Sequence, residues 1–202
     1  EVTFRTGPWS EVRDWLERGE VDCLPLVGRT PEREKLFDFT VPYLTMYGAI
    51  VVRQDTEGIW TLTDLRGSRV GVMKGDNAEE FLRREERGFD IVTTSTFSDA
   101  LGELAAGHLD AVVVQRLVAI RLLDETGLRP QLKIVHRPIT EFVQGFCFAV
   151  TEGSEDMLAV LNEGLALAVA DGTRRRLHAK WFASLQLPSD RPIIIGGDHN
   201  DP

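Results

Sequence analysis

Apolar and polar positions change their period many times along this chain of 202 residues. "VTFRT" alternates, as a strand with one buried face does. "SEVRDWLERG" follows, with Val12, Trp15 and Leu16 at helical spacing and Gly19 as the stop. "VDCLPLV" is a continuous apolar run, the pattern of a strand covered on both faces. After the Pro-punctuated "TPEREKLFDFTVPYLTM", "YGAIVVR" predicts another buried strand, and "RVGVMKG" a strand that ends in glycine. "DNAEEFLRREERG" predicts a helix with Asp76 and Glu79 as a capping-box-like pair. "FDIVTTS" predicts a strand, and "SDALGELAAG" a short helix capped by Ser98 and ended by Gly107. The strand "LDAVVV", the helix "RLVAIRLLDETG" and the strands "QLKIVH" and "GFCFAV" come next. "SEDMLAVLNEGLALAVADG" predicts a long helix with Ser154 as cap and Leu158, Leu161, Leu165 and Val169 as its apolar stripe. "TRRRLHAKWFASL" closes the set. Strands alternating with helices predict an α/β fold with parallel sheets and helices on both faces. "QLPSDRP" reads as a linker, and "RPIIIGGDHNDP" beyond it as a new strand running into a glycine turn.

Composition narrows the function classes. Hydrophobic residues make up 43% of the chain and charged residues 27%, enough for a folded core. The formal charge of -9 argues against nucleic-acid binding, which needs clustered Lys and Arg. The basic run Arg174-Arg175-Arg176 reads as a solvated helix face. No run approaches the ~18 apolar residues of a membrane span, and "EVTFRTGPW" lacks the features of a signal peptide. It opens inside a strand pattern, as a piece cut from a longer chain would. Cys23 and Cys147 lie in apolar runs and read as buried small hydrophobes; a disulfide requires their strands to come close, and that pairing stays open.

The chemistry of bond making is absent from the motifs. There is no nucleophile elbow, no zinc-protease helix and no phosphate loop. The four histidines are scattered. His199 beside Asp198 and Asp201 is the best metal candidate, and the plainer reading there is a polar turn. No cofactor or metal is expected.

Two stretches suit a small molecule. "GRTPER" sets Arg29 and Arg33 around a Thr-Pro turn, where a guanidinium can grip a carboxylate through two parallel hydrogen bonds; the plain alternative is a surface turn with Arg33 paired to an acid. "GVMKGDNAEE" runs from a strand into a helix N-terminus, where free N–H groups and Lys74 suit an anion or carbonyl; the plain alternative is capping by Asp76 or Asn77.

At these residues the chain resembles the family 3 periplasmic solute-binding proteins. The likeness is carried by "TPER" before "DFTVPY", by "LRGSRVGVMKG", by "GHLDA" and by the closing "KWF", and it covers nearly residues 1–185. It looks most like the members that serve as extracellular sensor modules of bacterial histidine kinases. The resemblance implies an α/β, two-lobed fold of the type II binding-protein kind with a mostly parallel sheet in each lobe. Lobe I would comprise 1–52 and 145–185, and lobe II 53–144, with hinges near Val52-Arg53-Gln54 and Val143-Gln144-Gly145.

It also implies a non-catalytic periplasmic module that closes on a small polar or carboxylate-bearing ligand, with Arg33 in the carboxylate-binding place and Asp76 and Asn77 in the ligand loop. Trp9, Tyr43 and Gln144 would line the cleft, with core packing as the plainer role for Trp9 and Tyr43. Gln115 stands where amino-acid binders carry an aspartate for the α-amino group. Pro25, Leu26 and Gly28 stand where they carry hydroxyls.

The rival readings are a transporter's binding protein and an enzyme of the same fold, such as a cyclohexadienyl dehydratase. The family's opening strand and helix are absent. Residues 186–202 resemble that opening, so they would be a linker and the first strand of a tandem module. Ile193, Ile194 and Ile195 would fill the missing lobe I strand, in the same chain or by exchange in a homodimer.

Overall fold

Two long strands organise the fold of the computed structural model, which describes residues 2–182. Strand β3 (Leu44–Arg53) follows helix α1 (Trp9–Glu17) and the short strands β1 (Leu24–Gly28) and β2 (Phe37–Phe39). Then come β4 (Arg69–Met73), α2 (Asn77–Glu85), β5 (Asp90–Thr94), α3 (Phe97–Ala105), β6 (Ala111–Gln115), α4 (Arg116–Glu125) and β7 (Leu132–Ile134). The second long strand, β8 (Ile139–Thr151), leads into α5 (Glu155–Ala170) and α6 (Thr173–Phe182). The eight strands among the described residues form one sheet in the order β1-β8-β3-β6-β4-β5, with β2 also on β8 and β7 also on β3.

β3 changes partner halfway. Leu44 to Tyr47 pair with β8, the register then breaks between Tyr47 and Gly48, and Gly48 to Val51 pair with β6. The C-terminal part of β8 carries β1 on one side and β2 on the other, both antiparallel. The sheet thus has two halves tied by β3 and β8.

The second half holds most of the core. Ala49, Ile50, Val51 and Val52 are all buried because apolar layers cover both faces of the sheet there. Ala78, Phe81 and Leu82 of α2 pack on one face with Val70, Val72 and Phe142. Leu101 and Leu104 of α3 and Leu123 of α4 pack on the other with Val112 and Val114. The first half has a smaller cluster: Leu16, Leu24, Val27, Phe37 and Ala149.

Several expectations are corrected. The sheet is mixed: among the described residues only β4–β5 and β4–β6 pair parallel, because β3 and β8 run back and forth between the halves. "VTFRT" is not a strand. Residues 2–7 are exposed, Phe4 at 86%, because alternation makes a strand only where a ladder partner exists, and none stands beside them among the described residues. β1 is not covered on both faces, since Pro25 and Leu26 are exposed.

Helix α3 is capped by Thr96, not Ser98: its hydroxyl accepts from Asp99 N at 3.0 Å, and Asp99 Oδ2 accepts from Thr96 N at 3.1 Å. Ser154 is the N-cap residue of α5 but makes no side-chain cap bond. Of the α5 stripe, Leu158, Leu161 and Leu165 are half-buried and Val169 is exposed. The stretch expected as a first hinge lies inside the second half, where Val51, Val52 and Arg53 pair with β7. In the other, Gln144 and Gly145 pair with Met46 and Thr45. Cys23 and Cys147 are both free thiols; the β1–β8 register sets Val27, not Cys23, opposite Cys147. His199, Asp198, Asp201 and Ile193 to Ile195 lie outside the described residues.

Candidate functional site

β1 ends at Gly28, and the chain then turns so that Thr30 O accepts the N–H of Arg33 at 3.1 Å. A single 3-10 turn, Arg33–Lys35, directs the Arg33 side chain inward, where it is 4% exposed. Its donors reach in three directions: Nε to Glu80 Oε1 at 3.0 Å, Nη1 to Gly28 O at 3.2 Å and Nη2 to Gly75 O at 3.1 Å. Trp9 covers one face of the guanidinium, its ring centroid 4.9 Å from Cζ. Its indole Nε1 donates to the same Gly75 O at 2.8 Å.

The opposite wall comes from the other half of the sheet. β4 stops at Met73, and Gly75, at φ +73°, turns the chain into α2 as only glycine does without strain. Asp76 caps α2, accepting from Ala78 N at 2.9 Å. Glu79 reaches back to Gly75 N at 2.6 Å, one residue earlier than a capping box would place it. Asn77, 1% exposed, accepts through Oδ1 from Gln115 Nε2 at the end of β6. Gln144 of β8 donates to Arg29 O.

The two halves touch directly: a Cβ on Gly28 would lie 2.3 Å from Asn77 Nδ2, so a side chain there would force them apart. At this contact two buried side-chain atoms have no hydrogen-bond partner among the described residues, Asn77 Nδ2 and Glu80 Oε2. Burial pushes the Asp76 carboxyl above its usual range, against the opposing pull of the Ala78 N–H and of Arg33.

The family follows from the whole pattern of the chain. Residues 1–184 match the bacterial extracellular solute-binding proteins, family 3. The chain belongs to that family. It is 31% identical over 186 residues to the L-cystine-binding protein TcyJ of Escherichia coli (strain K12), which covers 91% of this chain and 68% of that protein. Among solved structures it is similar to a histidine kinase sensor domain resembling periplasmic binding proteins, at 36% identity and TM-score 0.83, over 89% of this chain and 78% of the other. It is also similar to an ancestral arginine-binding protein bound to arginine, at 29% identity and TM-score 0.79, over 90% and 80%. The fold of this family 3 solute-binding protein is therefore the two-lobed binding-protein fold, and Arg33 meets α2 where the two halves of its sheet touch. No helix among the described residues is long and apolar enough to cross a membrane.

The structure brings Arg33, Trp9, Asp76, Asn77 and Gln115 into one network, and sets Gln144 beside Gly28. Lys74 is exposed and stands outside the buried network. Tyr43 lies elsewhere: its hydroxyl donates to Pro25 O, and its ring packs on Phe148 and beside Leu44 and Phe146. Burial pushes its phenol up to about 12. Core packing, the plainer of its two roles, is what the geometry gives it.

Glu80 and the Gly75 carbonyl were missed. Glu80 stands four residues after Asp76, on the same helix face, and that spacing was the available signal. Open hollows exist elsewhere, one of about 440 Å³ between Val41–Tyr43 and α5 and one of about 350 Å³ beside Trp60 and Glu141. Neither touches Arg33, and the buried ionic groups mark the site better than an open concavity does.

Proposed function

We propose that this chain is a non-catalytic, periplasmic sensing module of a bacterial transmembrane signalling receptor of the histidine-kinase type, which binds a small polar ligand with a carboxylate between its lobes. The observation that carries the sensor assignment is the likeness to a histidine kinase sensor domain. The ligand assignment rests on Arg33, whose planar guanidinium suits a two-point grip on a carboxylate and is buried at the contact between the two halves. Rigid-body closure of two lobes on a ligand turns contact energy into a shape change, which a receptor transmits.

A transporter's binding protein is the second reading, favoured by the likeness to the L-cystine-binding protein. A third, an enzyme of the same fold, draws on the likeness to an ancestral amino acid-binding protein described as a precursor of cyclohexadienyl dehydratase, at 25% identity and TM-score 0.75.

The test is a thermal-shift screen of the chain against amino acids, amines and small carboxylates, followed by calorimetry on any hit. A ligand that binds the folded state raises the midpoint, and Arg33→Met abolishes the rise. A hit whose affinity is untouched by that substitution removes Arg33 from the site. Sequencing the gene on both sides of this chain separates the first two readings: a membrane span followed by a kinase supports the sensor, and a lone secreted protein beside a transporter operon overturns it.

A further inference from the structure

Three carboxylates stand at the start of α2, and two are committed. Asp76 caps the helix. Glu79 is held by Gly75 N at 2.6 Å and by Arg83 at 2.7 and 2.9 Å. Glu80 alone points across the contact between the halves, to Arg33, and it uses only Oε1; Oε2 is buried and has no partner. Gln115, close by, is an amide and adds no charge. The Arg33–Glu80 pair is therefore the buried ionic link across the seam, with side chains 5% and 16% exposed; Arg84 of α2 and Glu32 form a second one at 2.6 Å, and both of its side chains are exposed.

A ligand that enters by parting the halves separates these two charges. Each then faces a poorly hydrated cleft and needs a partner of opposite sign. A plain carboxylate satisfies Arg33 and strands Glu80; a plain amine does the reverse. A molecule with both charges replaces one ion pair by two.

We propose that Glu80 is a specificity-determining residue of the seam, the group that receives the cationic end of the ligand while Arg33 receives its anionic end. The free Oε2 of Glu80 supplies the added acceptor. This assignment rests on the proposed binding of a ligand between the lobes, and it places the partner of an ammonium on α2 at Glu80, where Gln115 lacks the charge.

The test uses three matched probe series: amino acids, the corresponding 2-hydroxy acids and the corresponding decarboxylated amines, each titrated by calorimetry into the intact chain. The expected result is an amino-acid probe that binds about 30-fold more tightly than its hydroxy-acid or amine counterpart, the size of one lost charge-assisted hydrogen bond. Glu80→Gln shrinks the amino-over-hydroxy preference to about 3-fold or less, since an amide gives an ammonium no ionic partner. Glu80→Asp keeps a clear preference. Circular dichroism checks that each variant is folded, and should Glu80→Gln not fold, the wild-type probe comparison and Glu80→Asp still decide.

Equal binding of amino and hydroxy acids by the wild type overturns the assignment, as does an unchanged preference in Glu80→Gln or its loss in Glu80→Asp. Binding of carboxylates alone, or amines alone, overturns it while leaving ligand binding between the lobes intact. Binding of no probe at all overturns both.

Discussion

Replacing Arg33 by methionine removes the buried charged link, leaving the exposed Arg84–Glu32 pair, while keeping much of the side chain's bulk. Glu80 is then left as a carboxylate whose side chain is only 16% exposed, and Gly28 O loses its guanidinium donor. Gly75 O keeps the indole of Trp9 at 2.8 Å. Breaking one partner out of a buried pair costs about 3–5 kcal/mol. The partial exposure of Glu80 and the surviving bond to Gly75 O put this case at the lower end, about 3 kcal/mol. With a urea m-value of about 2 kcal/mol/M, the unfolding midpoint falls by about 1.5 M.

Urea unfolding followed by both tryptophan fluorescence and far-UV circular dichroism reads this, and coincident curves license the two-state treatment. The double variant Arg33→Met with Glu80→Leu is the decisive control. With no orphaned charge it should recover most of the loss, so the two substitutions are far from additive. If Arg33→Met costs under about 1 kcal/mol, or if the double variant loses the sum of the singles, the pair contributes little and the reasoning fails.

Three more outcomes follow from particular contacts. Gly48→Ala would set a methyl 2.2 Å from Phe142 Cδ1, against a ring stacked 4.6 Å from Phe81, so it should cost about 2–3 kcal/mol of overpacking in urea unfolding; a cost below about 0.5 kcal/mol would mean the strand shifts freely there. Asp76 has a raised folded-state pKa, so the folded chain holds its proton more tightly than the unfolded one; the favourable effect is complete below the unfolded value and lost as pH rises through the raised one.

Asp76→Asn keeps the cap and should therefore melt at a higher temperature than the wild type at pH 7, with the gap vanishing below about pH 4; a gap that persists in acid contradicts the assignment. Thr96→Ala removes the hydroxyl from the reciprocal cap of α3 and should lower stability by about 1 kcal/mol in the same urea assay, whereas Ser98→Ala should change it by under about 0.5 kcal/mol; the reverse order would restore Ser98 as the cap.

The sequence by itself determined the elements of the second half. β4, α2, β5, α3, β6 and α4 fall where period and glycine stops place them, because each pairs or packs with near neighbours along the chain. Arg33, Asp76 and Asn77 were also legible, since a Thr-Pro turn and a helix start are local features. Only the tertiary structure decided what those residues face. Glu80 was one more acid on a polar helix until β3 and β8 brought α2 against the turn after β1, 47 residues away in sequence.

The same holds in the other direction for "VTFRT", whose alternation is fully strand-like, yet a strand exists only where another backbone offers the complementary ladder. Tyr43, apt for a cleft wall by type, packs instead beside Phe148, because β2 and β3 fold back along β8. Local pattern sets which segments fold and how they end; which charge meets which, and so what the seam can hold, is set by strand pairing that no short window of sequence contains.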